Sequence, residues 1–336
     1  MLEILSVDSE CSSVDESMVE YFGKHGAKQC IRNKPIRYGF KVWTHNLSNG
    51  YLINFDYCGK CSNSFTQKYS EEFTLPNSVI LGFADFLTAG SQLYFDNYFS
   101  SVSLMDELSH RKILATGTLR ENMIMRCPVT PKGKMKKQPR GKFEVFHDLK
   151  GDLIRWLDNA VVTQISNFDN ADPVGQARRW SSNLKKSISV DIHHSVSEYD
   201  KNMGGSDRMN QNTNKYKVRI RSRKWWNPLY RWDIDISLNN AWILFKESKG
   251  SNMDFLEFRR RVVLEYLQKH GKDRKPKRYR PSCLTENTNP RYDGKGHFIC
   301  CSSRLRCRVC GNKTVKSCLK CKVNLHEDCF VSYHTL

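Results

Sequence analysis

Long apolar runs are missing from this 336-residue chain. The best stretch, residues 79–87, is interrupted by Gly82, Ala84 and Asp85 and falls far short of the roughly 20 residues that a bilayer span requires. Met1-Leu2-Glu3-Ile4-Leu5 has neither a basic flank nor a long apolar core, so no secretory leader is expected, and the thiols are expected to stay reduced inside a cell. Negative charge is also scarce. Lys+Arg number 54 against 35 Asp+Glu, a formal net charge of +19, and the pI is about 9.4. Such an excess points to a polyanionic partner, most often nucleic acid. Internal repeats and low-complexity tracts are absent. What is present is enough apolar material for a core, 39% hydrophobic and 11% aromatic. A mean hydropathy of −0.61 leaves room for polar segments.

The pattern of elements is legible for the first third. Residues 18–22, 38–47 and 51–57 read as strands, and Asn49-Gly50 between the last two is a hairpin turn signal. Residues 78–90 have helical spacing and end on Gly90; 92–95 read as a strand, 102–111 as a helix and 113–119 as a strand. The order β-β-β-α-β-α-β is that of a ribonuclease H-like mixed sheet. The expected fold class is therefore α/β, with a β-rich insertion, a helical segment and a small C-terminal zinc module. The expected divisions are 1–121 for the first part of the core, 122–193 for the insertion and 194–217 for the last part of the core. A helical DNA-binding or dimerisation segment then occupies 218–271, a basic linker 272–296 and a cysteine-rich module 297–336.

Three carboxylates stand where this fold would gather them. Asp15 lies at the start of the first strand, Asp96 at the end of the fourth, and Asp207 opens the helix after Gly204-Gly205. The first and fourth strands of such a sheet are neighbours, and the late helix crosses their ends. Clustered carboxylates suit two hard cations, which about 4 Å apart stabilise the attacking and leaving oxygens of a phosphoryl transfer. Each aspartate taken singly also suits a turn or a helix cap.

Two further patterns carry chemistry. Lys215, Lys217, Arg219, Arg221, Arg223 and Lys224 run into Trp225-Trp226. The cations suit phosphates, and a tryptophan suits an unpaired base or, equally, the protein core. Lys272, Arg274, Lys275, Lys277, Arg278 and Arg280 suit a nuclear address, a non-specific DNA contact or a solubilising tail.

Seven of the 13 cysteines fall in the last 37 residues. Cys307, Cys310, Cys318, Cys321, His326, Cys329 and His334 have zinc-ligand spacing, one ligand short of two tetrahedral sites. His297 is the candidate eighth ligand, with Cys300 and Cys301 as rivals. A cross-brace similar to RING or PHD modules pairs Cys307, Cys310, His326 and Cys329 on one Zn²⁺. The same arrangement puts Cys318, Cys321, His334 and His297 on the other. Cys58-x2-Cys61 reads as an incidental pair and His193-His194 as surface histidines.

Several segments resemble the piggyBac transposase family. They are Ser13-Val14-Asp15-Glu16-Ser17-Met18, the Asn33-Lys34-Pro35 to Trp43 stretch, Phe95-Asp96-Asn97-Tyr98-Phe99-Ser100, the Tyr199–Asp207 stretch and the Arg223–Trp232 stretch. The resemblance implies cut-and-paste DNA transposition at TTAA targets through hairpin intermediates. It implies Mg²⁺ on catalytic Asp15, Asp96 and Asp207, a nuclear setting, and a C-terminal zinc module that contacts transposon-end DNA. The module's Cys329-Phe330 and Tyr333-His334 pairs also resemble the family's. Departures are visible too. Asn210 stands where founding members have a further acidic residue, and Asp200 and Ser206 replace the family's usual Asn and Val. The family's long N-terminal region, which the resemblance links to homodimerisation, would precede Met1. On that basis Trp232, Trp242, Phe245, Phe255 and Leu267 are expected to be partly exposed. A catalytically impaired DNA- or chromatin-binding derivative of such a transposase is the alternative.

Overall fold

The computed structural model describes residues 11–32, 34–58, 67–124, 127–148, 151–181, 185–217, 220, 222–271 and 291–335. It divides into two compact units, Met1–Leu267 and Gln268–Leu336. Among the described residues no helix is long and apolar enough to cross a membrane.

The first unit is built on a nine-stranded mixed sheet. Its central strand β1 (Cys11–Glu20) is preceded across the sheet by β2 (Gln29–Cys30) and β3 (Tyr38–Leu47), with β4 (Leu52–Tyr57) on the far side of β3. After α1 (Leu75–Ala84) come β5 (Gln92–Phe95), α2 (Val102–His110) and β6 (Leu114–Thr118). β1 pairs antiparallel with β3 and parallel with β5, and β5 runs parallel to β6.

β1 is longer than the 18–22 segment expected, and Asp15 lies in mid-strand rather than at the start. The physical reason is pairing on both sides. The ladder with β3 runs from Ser12↔Leu47 to Glu20↔Gly39, so neighbouring strands impose extension on serines and acids that have little strand preference of their own. α1 stops at Ala84 instead of reaching Gly90. Asp85 is held by Tyr69 Oη at 2.6 Å and by Lys68 and Arg111 at 2.9 Å, which fixes the turn immediately after the helix.

Val14, Leu93 and Phe95 from the sheet and Val79, Ile80, Leu81, Phe83, Leu104, Met105 and Leu108 from α1 and α2 form the main core on one face. The strands expected as an insertion extend the same sheet. After the short α3 (Lys132–Met135), β7 (Phe143–Asp148), β8 (Gly151–Leu157) and β9 (Val161–Ser166) follow, and β9 pairs antiparallel with β6. β10 (Val174–Ser181) and β11 (Lys186–His193) instead form a hairpin separate from that sheet. His193 is buried there, with its ring centroid 3.7 Å from that of Phe143, so it is not a surface histidine.

The opposite face is covered by helices. After α4 (His194–Asn202), α5 (Gly205–Lys215) crosses the sheet, and α6 (Asn227–Lys249) and α7 (Phe255–His270) follow. Met209, Trp232 and Ile236 pack against Val19, Phe40, Val42 and Leu52. The close approach of α5 depends on Gly205, where a Cβ would come within 2.5 Å of the Leu47 carbonyl oxygen. Gly204 has open space around it. Trp232 and Phe255 are buried, contrary to the expected partial exposure, whereas Trp242 and Phe245 are half-buried and Leu267 is exposed. The Trp242 indole donates to the Met253 carbonyl at 2.9 Å, and Phe245 packs on Phe258, so the start of α7 packs on α6, while Val263, Leu264, Tyr266 and Leu267 further along it are exposed.

The second unit has a hairpin, β12 (Ile299–Arg306) and β13 (Lys313–Cys318), followed by α8 (Glu327–Thr335). Its core is small: Cys307, Cys318, Leu325 and Tyr333, with Cys321, Val323, Cys329 and Phe330 packed against it.

Candidate active site and metal centres

The register of β1 and β5 places two of the expected carboxylates side by side. Val14 faces Phe95 across the parallel pair, so Asp15 and Asp96 each follow by one residue. Both neighbours, Val14 and Phe95, point into the main core. Alternation then turns Asp15 and Asp96 to the face crossed by α5. Asp207 sits exposed in the first turn of that helix. The helix is tied to β3 and β1: Ser206 Oγ donates to Asn46 Oδ1 at 2.8 Å, and Ser17 Oγ donates to Asn210 Oδ1 at 2.6 Å.

Electrostatics shows the strain of this gathering. Burial pushes the Asp15 carboxyl up to about 7; Lys34 and the Glu16 N–H oppose the rise, while the charges of Glu16 and Asp96 add to it. Burial also raises Asp96, against the Tyr98 N–H that it accepts at 2.8 Å. Two poorly solvated carboxylates that repel one another are eased by a shared cation, and their hard oxygen donors fit Mg²⁺.

Sequence reasoning missed two residues of the site. Lys34 interacts electrostatically with Asp15, Asp96 and Asp207, and its ammonium lies 3.5 Å from Glu16 Oε1. Burial works to lower the Lys34 pKa, but Asp15 and Glu16 outweigh it and the net shift is upward. Glu16 is also 3.8 Å from Lys41, which lies over the Trp43 ring. The signal for Lys34 and Glu16 was their presence in the segments that carried the family resemblance.

The expected DNA-binding segment is only partly described. Lys215, Arg223 and Lys224 are exposed and Lys217 half-buried, while Arg219 and Arg221 lie outside the described residues, as do Cys61 and the basic run from Lys272 to Arg280. Trp225 and Trp226 are 46% and 47% exposed, so neither is a core residue. Trp225 stacks on His25 with ring centroids 4.5 Å apart.

In the second unit two groups of side chains each bring their ligand atoms within 4.8 Å of one another: His297, Cys318, Cys321 and His334, and Cys307, Cys310, His326 and Cys329. Among the described residues these are the groups that close so tightly, and the three aspartates are not one of them. Cys300 is half-buried against Ser317 and Cys301 is exposed, and neither belongs to a group.

The donor chemistry fits a thiophilic divalent ion. His297 Nδ1 faces Cys318 and Cys321 at 3.4 and 3.5 Å while its Nε2 contacts Asp293 at 3.0 Å. His326 Nδ1 faces Cys310 at 3.3 Å while its Nε2 meets the Lys313 carbonyl. His334 Nδ1 donates to the Arg291 carbonyl at 3.1 Å, and its buried Nε2 has no hydrogen-bond partner among the described residues. Each imidazole thus has one nitrogen held by an outer partner and the other aimed at the group, the arrangement that orients metal ligands. Burial and neighbouring thiols push Cys321 and Cys329 up to about 11. In Cys307, burial is outweighed by the N–H groups of Cys310, His326 and Val309, which bring it down to about 6.

The family model described as Transposase IS4 matches residues 4–242, which sets the class. The chain belongs to the piggyBac transposase family. It is 40% identical over 331 residues to human PiggyBac transposable element-derived protein 3 and 36% identical over 333 residues to human PiggyBac transposable element-derived protein 2. These matches take in 96% and 97% of this chain but 55% of each relative, so the chain spans about half their length. Among solved structures, the cryo-EM structure of the piggyBac transposase synaptic complex with hairpin DNA shares the fold. It has a TM-score of 0.59 and 18% identity, and the match covers 95% of this chain and 69% of that one.

Proposed function

We propose that this chain carries the catalytic part of a piggyBac-type DNA transposase, in which Asp15, Asp96 and Asp207 hold two Mg²⁺ ions for cut-and-paste phosphoryl transfer at TTAA targets. The observation that carries the reading is the meeting of Asp15 and Asp96 on adjacent parallel strands beneath the helix that bears Asp207. The strand order β4-β3-β1-β5-β6 supports a ribonuclease H-like core. That core would comprise residues 1–121 and 194–217, with 122–193 as an inserted segment whose β7–β9 lengthen the core sheet. Bound Mg²⁺ would supply charge stabilisation of the attacking and leaving oxygens. In this chain Asp15 and Asp96, both half-buried, would accept the ions. Lys34 would balance the excess negative charge until the ions and the scissile phosphate are in place.

DNA is the proposed partner, contacted by Lys215, Lys217, Arg219, Arg221, Arg223, Lys224, Trp225 and Trp226 within the 218–271 segment. Nuclear location through the basic 272–296 linker belongs to the same reading, as does homodimerisation of the longer protein. Residues 297–336 would form a cross-brace around two structural Zn²⁺ ions, held by the two cysteine–histidine groups.

The test is Mg²⁺-dependent cleavage of transposon-end DNA. Wild type should nick the end and Asp96→Ala should not; the same background from both would end the enzyme reading. A second reading, a DNA-binding derivative that no longer transposes, is favoured by Asn210. Its amide accepts the Ser17 hydroxyl at 2.6 Å but brings no charge to the site.

A further inference from the structure

On the flank of α5 away from Asp15, the tip of the β3–β4 hairpin and the C-terminal half of α6 enclose an open groove of about 590 Å³. Asp207 and Arg208 are consecutive on α5, so their side chains leave it about 100° apart. One serves the carboxylate site and the other lines the groove. Arg208 is anchored by donating to the Ser48 carbonyl, which uses one of its five N–H donors. Lys246 faces it from α6, its ammonium 4.9 Å from the centroid of Trp242. Glu247 is the acid of the lining, and Asn49 Nδ2 donates to it at 2.7 Å. Trp242 is not an open stacking platform, because Lys246 lies over its ring and Phe255 packs against it with centroids 5.2 Å apart. What remains on offer is fixed positive charge over an apolar floor, with the Gln211 and Asn252 amides at the rim.

We propose that this groove binds a backbone phosphate of a nucleic-acid strand, clamped by Arg208 and Lys246. The inference rests on the DNA-transposase reading and extends its substrate surface across α5. A strand lying on the exposed side of the helix would meet Asp207 on one flank and the clamp on the other. Arg208 and Lys246 are positioning residues, distant from the reacting atoms.

The experiment measures binding of the zinc-loaded full chain to a labelled transposon-end duplex between roughly 50 and 200 mM salt. Arg208→Gln and Lys246→Gln should each lower the slope of log affinity against log salt by about 0.9, and the double variant by about twice that. Arg208→Lys and Lys246→Arg keep the charge and should keep the slope, which separates a phosphate contact from a folding defect. Lys68→Ala, beside Asp85 next to α1, should leave the slope unchanged. The inference is overturned if the double variant keeps the wild-type slope while wild type binds and cleaves DNA; the enzyme reading then survives without it. Wild type that shows no salt-sensitive DNA binding overturns both. Millimolar inorganic phosphate that raises the melting temperature of wild type but not of the double variant, with equal DNA slopes, would mark a free-anion site and also overturn the proposal.

Discussion

The two candidate metal sites are built in opposite ways. The carboxylate site is assembled from residues far apart in sequence, by strand pairing and by a helix that crosses the sheet, and it sits on a unit with a large apolar core of its own. The cysteine–histidine groups are assembled from closely spaced residues, and the core beside them is largely the thiols themselves. The first is open and the second closed, the contrast that separates reactive from structural metal sites. A metal at the first would act on a scaffold that already stands, and a metal at the second would stand in for a core too small to hold the fold.

Stripping zinc should therefore have the largest effect, and an uneven one. Binding at each site is worth on the order of 10 kcal/mol, so a strong chelator should unfold the second unit while the first keeps its cooperative transition. Calorimetry together with metal analysis, expected to give two Zn per chain, checks this; a second unit that stays folded without metal would erase the contrast. Within that unit, Cys318→Ser should cost one zinc and Cys329→Ser the other.

Gly205→Ala sharpens the comparison from the first unit. A methyl group would meet the Leu47 carbonyl oxygen, lifting the start of α5 and Asp207 off the sheet at a cost of about 1–3 kcal/mol. Gly204→Ala should be nearly neutral. Denaturant melts of the two variants would show the difference.

Next comes pH. The Asp15 carboxyl is raised to about 7 from 3.8, so the folded state binds the proton more tightly than the unfolded one. Its favourable contribution is complete below about pH 4 and is lost as pH rises through 7. At pH 8 the half-buried Asp15 carboxyl is largely ionised and in want of a cation. Mg²⁺ should raise the melting temperature more at pH 8 than at pH 6, and Asp15→Asn should remove that difference.

The smallest effect concerns His45, fully buried, with neither ring nitrogen hydrogen-bonded among the described residues and its pKa lowered by burial to about 4. The unfolded histidine takes up a proton near pH 6.5 and the folded one does not, so stability is present above 6.5 and lost as pH falls toward 4. His45→Leu should raise stability by about 1 kcal/mol at neutral pH and by more at pH 5, as thermal melts at the two values would show.

How much of this was readable in the sequence follows from the same contrast. The zinc-ligand set is local: its spacing pointed to seven ligands, likeness to a RING or PHD cross-brace suggested the pairing in which the side chains are found, and His297 as the eighth still had Cys300 and Cys301 as rivals. β5 and Asp96 were legible because Gln92–Phe95 is apolar and bounded by turns. β1 was only half legible, since Ser12, Ser13, Asp15 and Glu16 conceal a strand that its neighbours impose. Lys34 was invisible as chemistry because its role depends on the β2–β3 connection returning to the carboxylates. His193 misled because a polar residue at a hairpin end can still be covered by an aromatic ring.

The measurement that bears most directly on the central claim is Mg²⁺ titration of transposon-end cleavage by wild type and by Asp15→Ala, Asp96→Ala and Asp207→Ala. The account predicts cleavage by wild type that rises with Mg²⁺, and losses of roughly a hundredfold or more in each variant with zinc content unchanged. Wild-type cleavage that ignores Mg²⁺, or that survives removal of any one of the three carboxylates, would contradict it.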